Sequence, residues 1–238
     1  MIPLSTVHLS VSDASDSFSR PRPAPMTDPR PVTFQPPGQR AQDDADELAR
    51  AELYGLLARL WQAPPDEDLL AALRVAVTEA PEAGGWLEAP WQALVGQLRQ
   101  TPPTQIAREY EALFGGVGRP EVFLYGSFHL TGHLNETPLA RLRDTLAELN
   151  LARATDAGET EDHIAFVLEV MRWLIAGDDP AHCHLGGQMR FFREHLQPWV
   201  PALCDAVAAH PGAQVYRALA SFTAAFIQVE TQAFDLAE

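Results

Sequence analysis

The feature that most constrains this chain is a helical stretch, at residues 162–175, that is apolar on nearly every side. At about 100° per residue, its only polar stripe is formed by Asp162, Glu169 and Arg172. The apolar residues are Ile164, Phe166, Val167, Leu168, Val170, Met171, Trp173, Leu174 and Ile175. A helix with so little polar surface is stable only when other elements cover it. We therefore expect it at the centre of a bundle.

The rest of the chain predicts further helices around this one. From Asp43 the leucines are spaced as on one helical face, and Pro64-Pro65 ends that helix. Similar patterns predict helices at 66–80, 86–100, 104–114, 138–149, 162–175, 185–209 and 213–234. A kink is expected at Pro198 or Pro201. Because no segment alternates as a strand does, we predict an all-α, single-domain bundle of about eight to ten helices.

The first residues do not share this pattern. Prolines from Pro3 to Pro37 lie among Ser, Thr and Asp residues, with no sustained apolar period. Such a segment buries too little apolar surface to offset the entropy lost on ordering. Residues 1–41 are therefore predicted to be a disordered Pro/Ser-rich tail, and residues 42–238 the helical domain. Met26 offers an alternative start of translation just before the acidic first helix.

Charge and composition exclude several classes of function. The formal net charge is −15, and every basic side chain other than histidine is an arginine. An acidic surface repels nucleic acid and anionic lipid. The absence of lysine excludes a P-loop lysine and Schiff-base chemistry, and no glycine-rich phosphate loop occurs. We expect no nucleic-acid partner and no cofactor, and we expect a basic partner.

Cysteine content and hydropathy predict the compartment. Cys183 and Cys204 are too few for a disulfide framework, so we expect two free thiols in a reducing environment. No run of about eighteen apolar residues could span a membrane, and the N-terminus lacks the pattern of a secretory signal. The sequence therefore predicts a soluble, cytoplasmic protein without stable membrane insertion.

The start of the central helix is the main candidate site. We expect Asp162 to accept hydrogen bonds from the free N–H groups of the first helical turn, with Glu161 adding favourable negative charge. His163 would then be fixed at the mouth of a buried helix. Residues 115–135, rich in glycine and aromatic residues, predict an ordered functional loop.

The other polar clusters predict no chemistry. Residues 182–184, His-Cys-His, are direct neighbours and cannot all converge on one ion. Glu109, Glu111 and Glu169 lack the Glu-x-x-His repeats of a di-iron bundle, and we expect charges at helix ends to be solvated. We therefore predict no catalytic residue and no metal site.

The tryptophans are most simply core or groove residues. Trp86 and Trp91 lie in a region bounded by proline and glycine. An exposed one of this pair is a candidate for lining a peptide-binding groove, because exposed tryptophans often anchor partners.

Three stretches together resemble one known family. The first is Glu109-Tyr110-Glu111-Ala112-Leu113-Phe114, followed by Gly116, Pro120 and Tyr125-Gly126-Ser127. The second is Glu161-Asp162-His163-Ile164-Ala165 with Leu168, Met171 and Leu174, and the third is the run from Phe191 to Val200. In this order, the chain resembles the TorD/DmsD family of twin-arginine redox-enzyme maturation chaperones. Order and spacing match over residues 109–200, and the helical pattern extends the similarity to about 45–235.

The resemblance implies a TorD-like helical chaperone that is not an enzyme. Its partners would be the twin-arginine signal peptide and the apo-form of a molybdopterin-containing oxidoreductase, held back from export until the cofactor is inserted. Asp162 and His163 match the family's peptide-binding Asp-His pair, and Tyr125 and Ser127 match its aromatic-x-Ser motif. The loop before Asp162 would act as a hinge, which implies a monomer or a domain-swapped dimer.

The sequence departs from the family at two positions and leaves other functions open. Gly126 stands where many members carry an acidic or larger residue, and Glu161 replaces a frequent proline. A twin-arginine peptide has a cationic end and an apolar stretch, so its binder needs carboxylates beside an apolar groove. The alternatives are a helical metal-dependent hydrolase using the histidines of residues 129–195, and a structural assembly subunit of a redox complex.

Overall fold

The computed structural model describes residues 9–11, 37–76, 85–115, 119–154 and 158–237. These residues form ten helices and one two-stranded ribbon. In chain order the elements are β1 (Leu9–Val11), α1 (Pro37–Gln62), α2 (Glu67–Val75), α3 (Glu88–Gln100), α4 (Pro103–Phe114), α5 (Gly126–Thr131), α6 (Thr137–Glu148), β2 (Leu151–Arg153), α7 (Ile164–Ala176), α8 (Leu185–His195), α9 (Val200–Ala209) and α10 (Val215–Leu236). The predicted all-α bundle is confirmed.

Helix α7 lies at the centre of this bundle. Most of its side chains are buried, including Ile164, Leu168 and Leu174, which are fully enclosed. It packs along α1 and against α8, while α10 packs on α9, α3 and α4. The helix covered on nearly all sides is therefore the one that the sequence predicted.

Prolines and caps set the helix boundaries as expected. Helix α1 ends just before Pro64-Pro65, and Asp66 then caps α2 by accepting from the Leu69 N–H at 2.7 Å. Pro102, Pro138 and Pro201 lie at or near the starts of α4, α6 and α9. Local sequence is sufficient to place these ends.

Two predicted segments differ in the structure. The helix predicted at 185–209 is two helices, because the chain turns at residues 196–199 around Pro198, which has no N–H to continue α8. The segment 115–135, predicted as a loop, contains α5. Residues 77–80, predicted to end the second helix, lie outside the described residues.

The N-terminal boundary also differs from the prediction. Helix α1 begins at Pro37, inside the predicted 1–41 tail. Leu9–Val11 pairs antiparallel with Leu151–Arg153. The rest of the predicted tail lies outside the described residues, as do residues 155–157 of the predicted hinge, so disorder and hinge remain predictions. Among the described helices, none is long and apolar enough to cross a membrane.

Candidate peptide-binding site

A short backbone bridge joins the two motifs that the sequence singled out. Tyr125 and His163 pair as an antiparallel bridge. The Gly126 N–H donates to the Asp162 carbonyl, and the Ile164 N–H donates to the Leu124 carbonyl, both at 2.9 Å. The rings of Tyr125 and His163 meet edge to face at 5.3 Å. The bridge therefore places the starts of α5 and α7 side by side.

Asp162 caps a helix other than the one predicted. Its carboxylate is buried, with Oδ2 accepting from the Ser127 N–H at 2.9 Å and Oδ1 accepting from the Thr160 hydroxyl at 2.6 Å. The predicted cap on its own helix is wrong, because α7 begins two residues later, at Ile164. Asp162 instead ties the start of α5 to the chain that enters α7.

His163 is the residue that caps α7. Its Nδ1 accepts from the Ala165 N–H at 3.2 Å. Burial lowers the pKa of His163 to about 4, against the opposing charges of Glu159 and Asp162. The ring is therefore neutral at pH 7, and because Nδ1 is an acceptor, its proton lies on Nε2. This histidine fixes the helix start as an uncharged group.

Ser127 and Tyr125 complete a rigid corner. Ser127 is fully buried, and its Oγ accepts from the Asn135 N–H at 3.2 Å. Tyr125 is half-buried and donates its hydroxyl proton to Glu159. Burial, followed by this bond, raises the pKa of Tyr125. The aromatic-x-Ser motif thus presents a neutral phenol beside a buried serine.

Gly126 is explained by the tryptophan that lies against it. A Cβ at position 126 would come within 3.0 Å of the Trp199 ring. The indole N–H of Trp199 donates to the His195 carbonyl at 2.6 Å, and the ring stacks on His129 at 5.9 Å. A larger residue at position 126 would push Trp199 away. Glycine stands at position 126, where many family members carry a larger residue, because the Trp199 ring leaves little room for a side chain.

A cleft of about 440 Å³ opens beside this corner. It lies between α5, α6, α8 and the start of α9. Its apolar lining is Leu130, Pro138, Leu142, Val167 and Trp199, and buried Asp162 and Ser127 also contribute. This mixture of apolar walls and a few polar groups is typical of a ligand site.

Two exposed carboxylates, those of Asp144 and Glu194, border the cleft. Within the described ranges, Asp144 has no ion-pair partner. Glu194 lies 3.7 Å from Nε2 of His195, but burial lowers the pKa of that histidine to about 4, so it is neutral at pH 7. Among the described residues of the lining, Arg141 is the one cation. The rim therefore favours a cationic ligand. Glu194 belongs to the stretch from Phe191 to Val200 that resembles the family, but the sequence predicts no binding role for it or for Asp144.

The six predicted site residues do not all meet. Asp162, His163, Tyr125 and Ser127 come together at the corner described above. Trp86 lies ahead of α3 with 65% of its surface exposed, and Trp91 packs its ring against Phe222 of α10 at 5.4 Å. Neither tryptophan lines the cleft.

The His-Cys-His run is divided among three separate contacts. His182 Nδ1 lies 2.7 Å from the Asp179 carboxylate, and the Cys183 thiol donates to the Trp173 carbonyl. His184 caps α8 by accepting from a backbone N–H. In the part of the chain that the structure describes, no three His, Cys, Asp or Glu side chains gather as metal ligands. The hydrolase alternative has no geometric support there.

Glu109 is buried, whereas the sequence predicted a solvated carboxylate. Its Oε1 accepts from the N–H groups of Gln214 and Tyr216 at 2.7 and 2.9 Å, and its Oε2 accepts from that of Val215 at 3.2 Å. Glu109 therefore caps α10, which is second in length only to α1 among the described helices. The prediction was wrong because α10 follows more than a hundred residues later.

Replacing Asp162 by alanine is expected to lower the free energy of unfolding by roughly 2 kcal/mol, because the buried Ser127 N–H loses its acceptor. Urea unfolding monitored by circular dichroism measures the change. Asp144→Ala, at an exposed carboxylate, is the control and should cost less than about 0.5 kcal/mol. Equal losses in the two variants would contradict the capping role.

The described residues form a helical bundle around a buried central helix, with an apolar cleft and a carboxylate rim on its surface. This arrangement is typical of a helical binding protein. The family model described as "Nitrate reductase delta subunit" matches residues 81–205, more than half of the chain. The chain belongs to this family, the TorD/DmsD family of redox-enzyme maturation chaperones.

Relatives that match in sequence agree with this membership. The chaperone protein TorD of Aliivibrio fischeri is 24% identical over 77% of this chain and 93% of its own length. TorD of Photobacterium profundum is 22% identical over 82% and 87%, and the chaperone protein YcdY of Escherichia coli is 27% identical over 72% and 88%. A putative redox enzyme maturation protein from Archaeoglobus fulgidus aligns with a TM-score of 0.46 and 19% identity, over 76% of this chain and 93% of that one. The predicted maturation chaperone, rather than an enzyme, is confirmed.

Proposed function

We propose that this chaperone binds the cationic end of a twin-arginine signal peptide in the cleft between α5, α6 and α8. The client is the apo-form of a molybdopterin-containing oxidoreductase, bound in the cytoplasm and held back from export until its cofactor is inserted. The observation that carries the proposal is the apolar cleft with Asp144 and Glu194 at its rim.

Charge supports this choice of ligand. Two arginine side chains can reach two exposed carboxylates while the neighbouring peptide chain packs on Leu130, Leu142 and Trp199. The net charge of −15 also attracts a cationic segment from a distance, which raises the association rate. Arg141 limits how an arginine can approach, and therefore selects its position along the rim.

The matched motif residues have a positioning role in this proposal. Both Asp162 oxygens and the Ser127 hydroxyl are already hydrogen-bonded within the protein. They hold the wall of the cleft in place, while His163 and Tyr125 fix the neighbouring corner. The peptide-binding roles of Trp86 and Trp91 remain predictions, because neither residue lies at this cleft.

Neutralising the rim should weaken peptide binding. Asp144→Asn combined with Glu194→Gln is expected to raise the Kd for a synthetic twin-arginine peptide by about tenfold or more, because each lost charge pair contributes up to about 1 kcal/mol. Calorimetric titration measures the change. The matched control is Asp205→Asn, an exposed carboxylate on α9.

An Arg-Arg→Ala-Ala peptide completes a double-mutant cycle. The Asp144→Asn/Glu194→Gln variant and the wild-type protein should bind this peptide equally well, because the peptide no longer carries the arginines that pair with the rim carboxylates. An equal loss for both peptides would show that the rim does not contact the arginines. No binding of the twin-arginine peptide at all would contradict the proposed function.

A second candidate function is that of an assembly subunit, and the description of the matching family model favours it. Such a subunit would stay with the mature enzyme and would not need a signal peptide. Co-purification with a client from which the signal peptide has been deleted separates the two functions. Whether the protein is a monomer or a domain-swapped dimer is a prediction that the same purification tests by light scattering.

A further inference from the structure

A second and larger groove lies between α1, α2 and α7. Its volume is about 1020 Å³. Helix α1 lines it from Ala49 to Gln62, a length of about 20 Å at 1.5 Å per residue. Helix α2 packs mainly against α3 and diverges from α1 after Pro64-Pro65, which leaves the space open. The groove is therefore long enough for three or more turns of a bound helix.

The lining of this groove is mainly apolar. The apolar side chains come from all three helices and include Leu53, Leu56, Leu69, Ala72, Leu73 and Ala165. Leu53 and Leu56 are only partly buried against the core. The described residues leave this apolar surface uncovered. Binding of an apolar chain would remove it from water, which contributes favourably to the free energy of binding.

The charges in this groove pair with each other. Arg172 Nε lies 2.7 Å from Glu169, and Arg59 lies 3.5 Å from Asp66. Glu52 alone among the charged lining residues has no partner in the described part of the chain. An uncharged segment can therefore enter without separating an ion from its partner. At the cleft beside α5, by contrast, Asp144 and Glu194 form no ion pair with an arginine among the described residues. The two sites differ in the ligand chemistry that they favour.

The cleft and the groove lie on opposite faces of α7. Val167 lines the cleft and Ala165 lines the groove, and side chains two residues apart on a helix point about 200° apart. A chain that occupies both sites must cross one helix diameter, about 10 Å, near the start of α7. Three or four extended residues are long enough for this crossing.

Polar side chains lie beside each of the two sites. Tyr125, next to the cleft residue Ser127, donates its hydroxyl to Glu159. On the far side, the hydroxyl of Tyr110 donates to the carbonyl of Gln62 at 2.7 Å, and Gln62 lines the groove. Burial and then the charge of Glu159 raise the pKa of Tyr110, so the charge of this carboxylate acts on both phenols.

We infer that the α1–α2–α7 groove binds the apolar stretch of the same peptide whose cationic end occupies the cleft. This inference rests on the proposed function. A twin-arginine signal peptide has a cationic end, which fits the cleft, followed by an apolar stretch, which fits the groove. The Tyr125–His163 corner then lies beneath the residues that connect the two halves. The chaperone thereby recognises both halves of the peptide, and a short basic segment alone occupies only one site.

The test compares two synthetic peptides, one with the full twin-arginine sequence and one truncated before the apolar stretch. Ala72→Glu places a carboxylate in the groove at a residue that is already exposed, so the fold should be retained. It is expected to raise the Kd of the full peptide by about tenfold or more, because a charge must be buried against an apolar chain. The Kd of the truncated peptide should be the same for Ala72→Glu as for the wild-type protein. Ala71→Glu, the exposed neighbour outside the groove lining, is the matched control.

A fluorophore on the apolar end of the full peptide gives a second readout. Its emission should shift to the blue with wild-type protein and with Ala71→Glu, and should not shift with Ala72→Glu. If Ala72→Glu leaves the full-peptide Kd within about twofold of wild type and the blue shift intact, the groove is not the site of the apolar stretch. In that case binding that still depends on Asp144 and Glu194 leaves the proposed function standing, whereas failure of both peptides to bind overturns it.

Discussion

Glu109→Ala is expected to lower the free energy of unfolding by roughly 3–5 kcal/mol, the largest effect of any single substitution considered. The change leaves three backbone N–H groups at the start of α10 without their acceptor, and each buried unsatisfied donor costs about 1–3 kcal/mol. The estimate lies in the lower part of the sum of three such costs, about 3–9 kcal/mol, because water can reach the partly buried Gln214 N–H. Urea unfolding at pH 7.5 measures the loss.

Two further substitutions make this result specific. Glu109→Gln keeps an oxygen that can accept from part of the set, so its loss should be about half that of Glu109→Ala. Glu111→Ala changes an exposed glutamate on the same helix and should cost less than about 1 kcal/mol. If Glu109→Ala and Glu111→Ala cost the same, the cap on α10 contributes little.

Glu109 and Asp162 show where sequence reasoning stops. Both lie in motifs that the sequence singled out, and both carboxylates cap a helix from another part of the chain. A local pattern identifies a cap only when the acceptor lies within a few residues of the donor. Here the tertiary fold decides which helix each carboxylate caps. The sequence therefore identifies Glu109 and Asp162 as notable residues but does not predict their roles.

The parts of the fold that were predicted share a local cause. The position of α7 follows from its own apolar circumference, and the ends of α1 and α2 follow from Pro64-Pro65 and Asp66. Helix α5, only six residues long, was missed because it shows no apolar period of its own. It is held by Asp162 and by the Tyr125–His163 bridge, which are contacts that no short window contains.

The cleft was missed for a related reason. Asp144 and Glu194 lie fifty residues apart on two helices and look individually like carboxylates of solvated faces. Only the packing of α6 and α8 around Trp199 brings both of them to the rim of one apolar pocket. Each of the three motifs contributes at least one residue to the lining of this pocket, among them Ser127, Asp162 and Trp199.

Acid should destabilise the protein well above the pH at which most carboxylates titrate. Between pH 7.5 and 5.0 we expect a loss of roughly 4 kcal/mol, from two histidines. Burial lowers the pKa of both His163 and His195 from 6.5 to about 4. Between those values the unfolded chain binds protons that the folded chain does not, so stability falls as the pH falls, by roughly 2 kcal/mol for each histidine at pH 5.0. The stabilisation is complete above pH 6.5 and is lost towards pH 4.

The surroundings of the two rings support this sign. His163 faces Tyr125, Glu159 and Asp162, and these carboxylates oppose the effect of burial without overcoming it. His195 faces the Thr145 hydroxyl, with the Arg190 cation adding to the effect of burial. Protonating His163 would also remove Nδ1 as the acceptor of the Ala165 N–H, so acid releases the start of α7.

Substitutions without a titrating group test the origin of this acid sensitivity. Asn at position 163 can still accept from the Ala165 N–H, and Gln at position 195 keeps an amide near the Thr145 hydroxyl. His163→Asn should therefore reduce the stability difference between pH 7.5 and 5.0 by roughly half, and adding His195→Gln should remove most of the remainder. His133→Asn, at an exposed histidine, should leave the difference unchanged. If His163→Asn and the wild-type protein lose stability in parallel, the neutral ring of His163 is not what holds the start of α7.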